Sequence, residues 1–168
     1  AFIFEVDTEG SGQYPGGISY TMFTNPNVAD PYNYNVETSD GQYITNVTGD
    51  LNLLFPTAGI YQIKVTGTFP SFYSGNTSST YKLKDVINWG TSQWTSFYRS
   101  FYAARRMLSI TATDAPNLSN VTDMREAFAS AERLVSINNL GGWDVSNVTQ
   151  MQQMFYRAYD FNEPGISS

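Results

Sequence analysis

Arginine and tyrosine side chains recur together in the second half of the chain. All six arginines lie between residues 99 and 157, and several have a tyrosine within three positions. This combination is typical of binding surfaces, because both side chains join a broad contact area to hydrogen-bonding groups. Such side chains also stack between repeated structural units, so both roles stay open. The predicted ligand-binding residues are Tyr98, Tyr102, Arg105, Tyr156, Arg157 and Tyr159.

Two pairs of acidic residues could bind a metal ion. Glu37 and Asp40 lie three residues apart beside a predicted turn, and Asp7 with Glu9 forms a second pair. Calcium is bound by oxygen ligands of this kind. Neither pair belongs to a run of alternating acids, so solvated surface charges are the default explanation of both. We predict no cofactor, with calcium at Glu37 and Asp40 as the one candidate metal.

The catalytic options are few. The chain contains no histidine and no cysteine, which excludes Ser-His-Asp and Cys-His nucleophiles and the zinc sites built from these residues. Fifteen acidic residues leave room for a glycosidase pair. Asp114 and Asp144 recur near turns, where a solvated charge is the simpler explanation. We therefore predict a protein that is not an enzyme, without catalytic residues.

Charge is distributed unevenly along the chain. Residues 1–80 carry seven carboxylates and one lysine, a net charge of −6, whereas residues 81–168 carry eight acids and eight bases. An acidic chain without a basic stripe is poorly suited to nucleic acids or anionic lipids. No run of 18 apolar residues is present to insert into a membrane. The polar residues 74–80 coincide with the change in charge and suggest a boundary there.

A 27-residue period organises the second half of the chain. In its middle copy Val121, Met124, Phe128 and Ala131 are spaced at i, i+3, i+7 and i+10, which places them on one face of a helix. A short extended segment precedes each helix, and stacked copies would bury one continuous core. The predicted core positions of the repeats are Phe101, Met124, Phe128, Met151 and Phe155.

Alternation of apolar and polar residues predicts strands in the first half. The pair Asp40-Gly41 marks a hairpin between two of them. Several short strands with frequent turns favour an antiparallel sandwich. The predicted strands cover residues 2–6, 18–23, 32–37, 43–47 and 59–69.

Two stretches resemble known families. Residues 55–65 resemble the closing strand of PKD-type, immunoglobulin-like domains, although the turn at residues 37–41 keeps only Asp-Gly of that family's pattern. Residues 142–151, with Met154-Phe155, are similar to the repeat of the BspA-like bacterial surface proteins, the DUF285 group of leucine-rich-repeat relatives. Residues 118–124 form a slightly degenerate second copy.

These resemblances imply an α+β protein. An N-terminal antiparallel Ig/PKD-like β-sandwich at residues 1–80 would precede a leucine-rich-repeat-like β/α solenoid at residues 81–168. The solenoid would hold three 27-residue repeats, of which the last is incomplete, so a longer array is expected.

The second resemblance also implies a secreted or cell-surface location in a bacterium and a non-enzymatic role in adhesion. The repeats would present a surface to a protein or glycan partner. Two alternatives stay open. The chain could be a structural subunit of a surface filament, a layer or a phage tail, or a noncatalytic module of a larger polysaccharide-active protein.

Overall fold

The computed structural model of the chain describes residues 1–10, 13–14, 16–75 and 77–162, and its regular elements are β-strands. Two short 3₁₀ turns, Thr80–Lys82 and Leu140–Gly142, complete the regular structure of the described residues. The strands are β1 (Phe2–Asp7), β2 (Ser19–Met22), β3 (Asn33–Thr38), β4 (Tyr43–Val47), β5 (Leu51–Leu54), β6 (Ile60–Thr68), β7 (Leu83–Asn88), β8 (Ser109–Ile110) and β9 (Ser136–Ile137).

Five antiparallel strands form the main sheet, in the order β4-β3-β6-β1-β7. β1 pairs along its whole length with β6, so that Phe4 lies opposite Ile63. One face of each central strand is buried because apolar residues occupy alternate positions, as in the B-i-B-i-B-i burial of β1. β2 and β5 form a separate antiparallel pair, which contributes Met22 and Leu53 to the core.

Strands are present at all five segments predicted from alternation, and the Asp-Gly hairpin joins β3 to β4. Gly41 adopts a φ of +93° in that turn, a conformation that favours glycine. β5 was not predicted. Its four residues, Leu51–Leu54, are too short to establish an alternating pattern.

The predicted α+β fold with a leucine-rich-repeat-like β/α solenoid is wrong. The described residues contain no α-helix, and the chain is rich in sheet. Residues 121–131, where the apolar spacing predicted a helix, form consecutive turns instead.

Left-handed residues explain the absence of helices. Glu126 (φ +55°) and Ser130 (φ +58°) lie four residues apart within the predicted helix. A non-glycine residue in this conformation cannot continue a right-handed helix. The other two copies repeat the pattern, at Arg99 and Ala103 and at Gln153 and Arg157.

The backbone hydrogen bonds run between copies. We call residues 97–104, 124–131 and 151–158 the first, second and third layers of the stacked turns. Alternate N–H groups of one layer donate to carbonyl oxygens 26 residues further along, as from Phe101 to Ala127 (2.7 Å) and from Phe128 to Met154 (2.9 Å). A spacing of i, i+3 and i+7 also fits two successive turns whose apolar side chains point inward, so the periodicity alone could not distinguish turn from helix.

Between the three layers, these bonds all run in one direction. First-layer donors are paired with second-layer acceptors, and second-layer donors with third-layer acceptors. In the third layer, the N–H groups at the matching positions have no acceptor among the described residues. These groups belong to Met151, Gln153, Phe155 and Arg157.

A column of phenylalanine rings joins the sheet to the stacked turns. Phe101 and Phe128 stack with 5.3 Å between ring centroids, and Phe128 and Phe155 repeat that distance. Phe72, which follows the last strand of the first half, extends the column at 5.4 Å from Phe101. Phe161 closes it at 4.4 Å from Phe155. One continuous apolar core therefore serves both regions.

Four of the five predicted repeat core positions pack in this core. Phe101, Met124 and Phe128 are fully buried, and Phe155 is half-buried against the cluster. Met151 does not fit its prediction, since its side chain is 43% exposed. The third layer is the outermost described layer, and no described residue covers Met151 as Met124 is covered.

β7 begins just after the predicted domain boundary. It pairs antiparallel with β1 at the edge of the main sheet. On its other side Val86 accepts a hydrogen bond from the backbone of Ala112 (2.9 Å), so the strand contacts both regions. A domain boundary between residues 80 and 81 stays a prediction.

Candidate binding surface

Tyr98 is the centre of a partly exposed surface of stacked aromatic and guanidinium groups. Its ring stacks with Tyr73, with centroids 6.3 Å apart. The guanidinium groups of Arg99 and Arg125 each lie 5.3 Å from its centroid. Arg99 also lies 4.7 Å from the ring of Tyr102. We call Tyr73, Tyr98, Arg99, Tyr102 and Arg125 the tyrosine platform.

Ion pairs hold the two arginines of this platform in place. Arg99 of the first layer pairs with Glu126 of the second layer (2.8 Å), and Arg125 pairs with Asp123 (2.7 Å). Partial burial raises the pKa of Asp123, but the hydrogen bonds from Arg125 outweigh it and leave the pKa below its usual value. The guanidinium planes are therefore fixed by carboxylates while they lie near the tyrosine rings.

A polar groove of about 280 Å³ adjoins the platform. One wall is the loop at residues 27–30, and the other is built from successive copies of the repeat. Asp123 connects the two features, because it lines the groove and pairs with Arg125. The repeat residues that line the groove are Thr95, Ser96, Thr122, Asp123 and Gln150.

This arrangement suits recognition of a polar, ring-shaped or extended ligand. The groove supplies hydroxyl, amide and carboxylate groups, which can donate and accept hydrogen bonds. The adjoining platform supplies the ring of Tyr98, an apolar surface with a polar edge.

A family model described as "Mycoplasma protein of unknown function, DUF285" matches residues 70–168, more than half of the chain. The chain belongs to the DUF285 family. The matched region starts at the segment that contains Phe72 and Tyr73, which contribute to the phenylalanine column and the tyrosine platform. Neither a curated protein nor a solved structure matches the chain.

The predicted ligand-binding residues separate into three places within the DUF285 region. Tyr98 and Tyr102 belong to the tyrosine platform. Arg105 lies apart from it, over the ring of Tyr81 (5.5 Å) and beside Glu132 (3.4 Å). The remaining three residues, Tyr156, Arg157 and Tyr159, lie in or just after the third layer. The structure thus does not gather the six predicted residues into one site.

Several platform and groove residues were missed from the sequence. Tyr73 lies outside the 27-residue period, but Ser71-Phe72-Tyr73 recurs as Ser96-Phe97-Tyr98, and that repetition could have identified it. Arg125 aligns with Tyr98 in the repeats. Residues 27–30 carried no signal, because only the folded chain brings that loop to the repeats.

The predicted calcium ligands have other partners. Glu37 pairs with Lys64 (2.8 Å) on the main sheet. Asp40 accepts hydrogen bonds from the hydroxyl of Thr38 and the amide of Gln42. Among the described residues there is no group of three His, Cys, Asp or Glu residues that could hold a metal, and calcium binding stays a prediction.

Three of the other carboxylates that the sequence singled out also have structural partners. Asp7 pairs with Arg106 (2.7 Å). Asp114 accepts hydrogen bonds from the backbone of Trp89 and Gly90, and Asp144 accepts one from Ser146.

Within the described ranges, no helix has the length and apolar character needed to cross a bilayer.

Proposed function

We propose that this DUF285 member is a non-enzymatic binding module of a secreted or bacterial cell-surface protein, and that its tyrosine platform and polar groove bind a glycan. The observation that carries the proposal is the connection between Tyr98 and the groove. The ring centroid of Tyr98 lies 5.3 Å from the guanidinium group of Arg125, and Arg125 pairs with Asp123 in the wall of a groove that also offers hydroxyl and amide groups. The secreted location and adhesive role come from the resemblance to BspA-like repeats and are part of the proposal.

The physical basis is the pairing of an apolar ring with polar side chains. A sugar presents C–H groups on one face and hydroxyl groups around its edge, so it can pack on a tyrosine ring while it exchanges hydrogen bonds with a polar wall. The stacking and ion pairs of Arg99 and Arg125 hold the ring and the wall in fixed positions before binding. Such preorganisation reduces the entropy lost on association.

The test is binding of the purified chain to a glycan array and to intact bacterial and host cells, with and without calcium. Tyr98→Ala should weaken a saturable signal at least tenfold, as expected for loss of an aromatic anchor. Tyr43→Ala is the matched control, because Tyr43 is 69% exposed on β4, away from the groove. Circular dichroism would establish that both variants remain folded.

Each outcome has a consequence. Binding that survives Tyr98→Ala would remove the tyrosine platform from the proposal. A chain that binds purified surface proteins but no glycan would change the partner to protein. The absence of a saturable binding signal on every glycan and every cell would overturn the binding function. A signal that requires calcium would support the predicted metal, which Glu37→Gln and Asp40→Asn would then have to abolish.

A structural role is the second candidate. The N–H groups of the third layer that have no acceptor among the described residues favour it. A chain with such an edge could assemble with other chains through backbone hydrogen bonds. Light scattering that grows with concentration, without added ligand, would support assembly into a filament or layer. A chain that stays monomeric at high concentration would argue against it.

The PKD-like character of residues 1–80 also stays a proposal, carried only by the resemblance of residues 55–65.

A further inference from the structure

A second cavity, of about 300 Å³, lies where the main sheet meets the stacked turns. Its walls come from β1, β7 and residues 106–109, with Arg133 from the following repeat. It shares no lining residue with the polar groove. The charged residues that line it are Asp7, Lys82, Lys84, Asp85, Arg106 and Arg133.

Positive charge exceeds negative charge in this cavity, although the chain as a whole carries −6. Two of the four cations have carboxylate partners: Arg106 pairs with Asp7 (2.7 Å) and Lys84 with Glu5 (2.7 Å). Asp85 accepts hydrogen bonds from the backbone and hydroxyl of Thr111. With Glu5 included, four positive charges stand against three negative ones, so a single monovalent anion would balance the cavity.

Lys82 is the least satisfied of these cations. The residue is 3% exposed, and its ammonium group donates a hydrogen bond to the backbone carbonyl of Ser19 (2.7 Å). No carboxylate of the described residues lies within 4.0 Å of Lys82 or of Arg133. Burial lowers the pKa of Lys82 because a charged group loses its hydration there. A buried ammonium without a counter-ion is unfavourable, and a bound anion would relieve that penalty.

The cavity also has an apolar wall. Leu83 is buried beneath it, whereas Leu108 lines it with half of its surface exposed. Pockets that combine an apolar wall with a few charged groups, at the junction of two structural regions, are the usual form of small-molecule sites. The apolar wall favours an organic anion over a fully hydrated inorganic ion.

We infer that this cavity binds a small organic molecule carrying one carboxylate. The carboxylate accepts hydrogen bonds from the cationic groups of Lys82 and Arg133, and the rest of the molecule lies against Leu108. A sugar acid and a short aliphatic acid share this chemistry. The site is independent of the glycan surface proposed above, because it uses different residues and a different ligand.

The test is calorimetric titration of the full chain with sodium glucuronate and sodium hexanoate. Glucose and hexanol are the neutral probes of matching shape. At least one carboxylate should bind saturably, and binding should weaken as ionic strength rises. Neither neutral probe should bind with comparable affinity. The preferred carboxylate would identify the ligand as a sugar acid or an aliphatic acid.

Variants connect the binding to the cavity. Arg133→Gln should raise the Kd roughly tenfold, since a charge-assisted hydrogen bond is lost. The exposed position of Arg133 makes this variant safe for folding. Lys64→Gln, which removes another exposed cation, on β6, should leave the Kd unchanged. Lys82→Met should weaken binding further. If that variant does not fold, the Arg133 and Lys64 variants still decide the result.

Three results would overturn the inference. These are the absence of saturable binding by either carboxylate, equal binding of the neutral probes, and an unchanged Kd in Arg133→Gln. None of them would affect the glycan proposal, whose test depends on Tyr98. Conversely, a chain that binds no glycan could still bind glucuronate or hexanoate here.

Discussion

The main sheet and the stacked turns bury their cores by different patterns. In the sheet, burial alternates along each strand, and the partners of a residue such as Phe4 come from neighbouring antiparallel strands. In the stacked turns, burial repeats every 27 residues, and the partners of Phe128 are the same residue type in the layers on either side. The first pattern specifies a local backbone conformation. The second specifies which residues stack and leaves the local conformation open.

The largest expected effect concerns the phenylalanine column. Phe128→Ala should reduce the free energy of unfolding by roughly 3–5 kcal/mol, because a fully buried ring is removed from between two others. Urea denaturation followed by circular dichroism measures this. Phe155→Ala, in the half-buried third layer, should cost less than half as much. Equal losses at the two positions would mean that the column does not depend on being enclosed.

Alkaline pH should weaken the sheet region specifically. Burial raises the pKa of Tyr32 to about 12, and its hydroxyl donates to the carbonyl of Ser71 (2.9 Å). A phenol whose folded pKa is raised contributes stability that is complete below about pH 10, its unfolded value, and is lost as the pH rises through the folded pKa. The loss amounts to about 2 kcal/mol by pH 12.

Tyr32→Phe should therefore flatten the fall in unfolding free energy between pH 10 and pH 12, even though it also removes a hydrogen bond. Tyr156→Phe is the control in the stacked turns, since Tyr156 is 52% exposed and should leave the slope unchanged. If the free energy of unfolding fell equally steeply with pH in the wild type and in Tyr32→Phe, the raised pKa of Tyr32 would be contradicted.

Glycine substitutions distinguish turns from a helix directly. Gln153 adopts a φ of +59°, so Gln153→Gly should stabilise the chain by up to about 1 kcal/mol. In a helix the same change would destabilise it by about 1 kcal/mol. Its neighbour gives the matched control: Gln152 is also exposed and lacks a positive φ, so Gln152→Gly should destabilise. Thermal melts of the two variants should shift in opposite directions, and a shift of the same sign would refute the turn geometry.

The smallest expected effect is in the ion pair between layers. Glu126→Gln removes the partner of Arg99, whose side chain is 33% exposed, and should cost about 1 kcal/mol or less. Glu37→Gln removes the more exposed sheet pair with Lys64 and should cost still less. Unfolding at low and high salt measures both, because screening should reduce the difference between wild type and variant. A larger effect at Glu37 would reverse the expected order.

The strands of the first half could be predicted because a two-residue alternation has one structural explanation. The stacked turns could not, because the left-handed conformations fall on Arg99, Ala103 and Glu126 rather than on glycine. Those residue types give no warning of a positive φ. The pairing of layers overrides their local preference, since each turn gains hydrogen bonds to the next copy.

The candidate site was predictable in part. Tyr98 and Tyr102 were identified from their residue type and their proximity to Arg99, and the structure places them together. The groove was not predictable, because residues 27–30 reach Thr122 and Gln150 only through the folded sheet. The carboxylate cavity has the same origin, since Asp7 and Arg106 are separated by most of the chain.

The hydrogen bonds between layers make the two ends of the stack chemically different. The third-layer edge offers N–H donors at alternate residues, whereas the carbonyl oxygens of Met151, Gln153 and Phe155 are used by bonds within the same layer. Two copies brought together symmetrically at this edge would place donor against donor. A chain segment that pairs with these donors must therefore present carbonyl oxygens to them, which a head-to-tail arrangement of repeats provides.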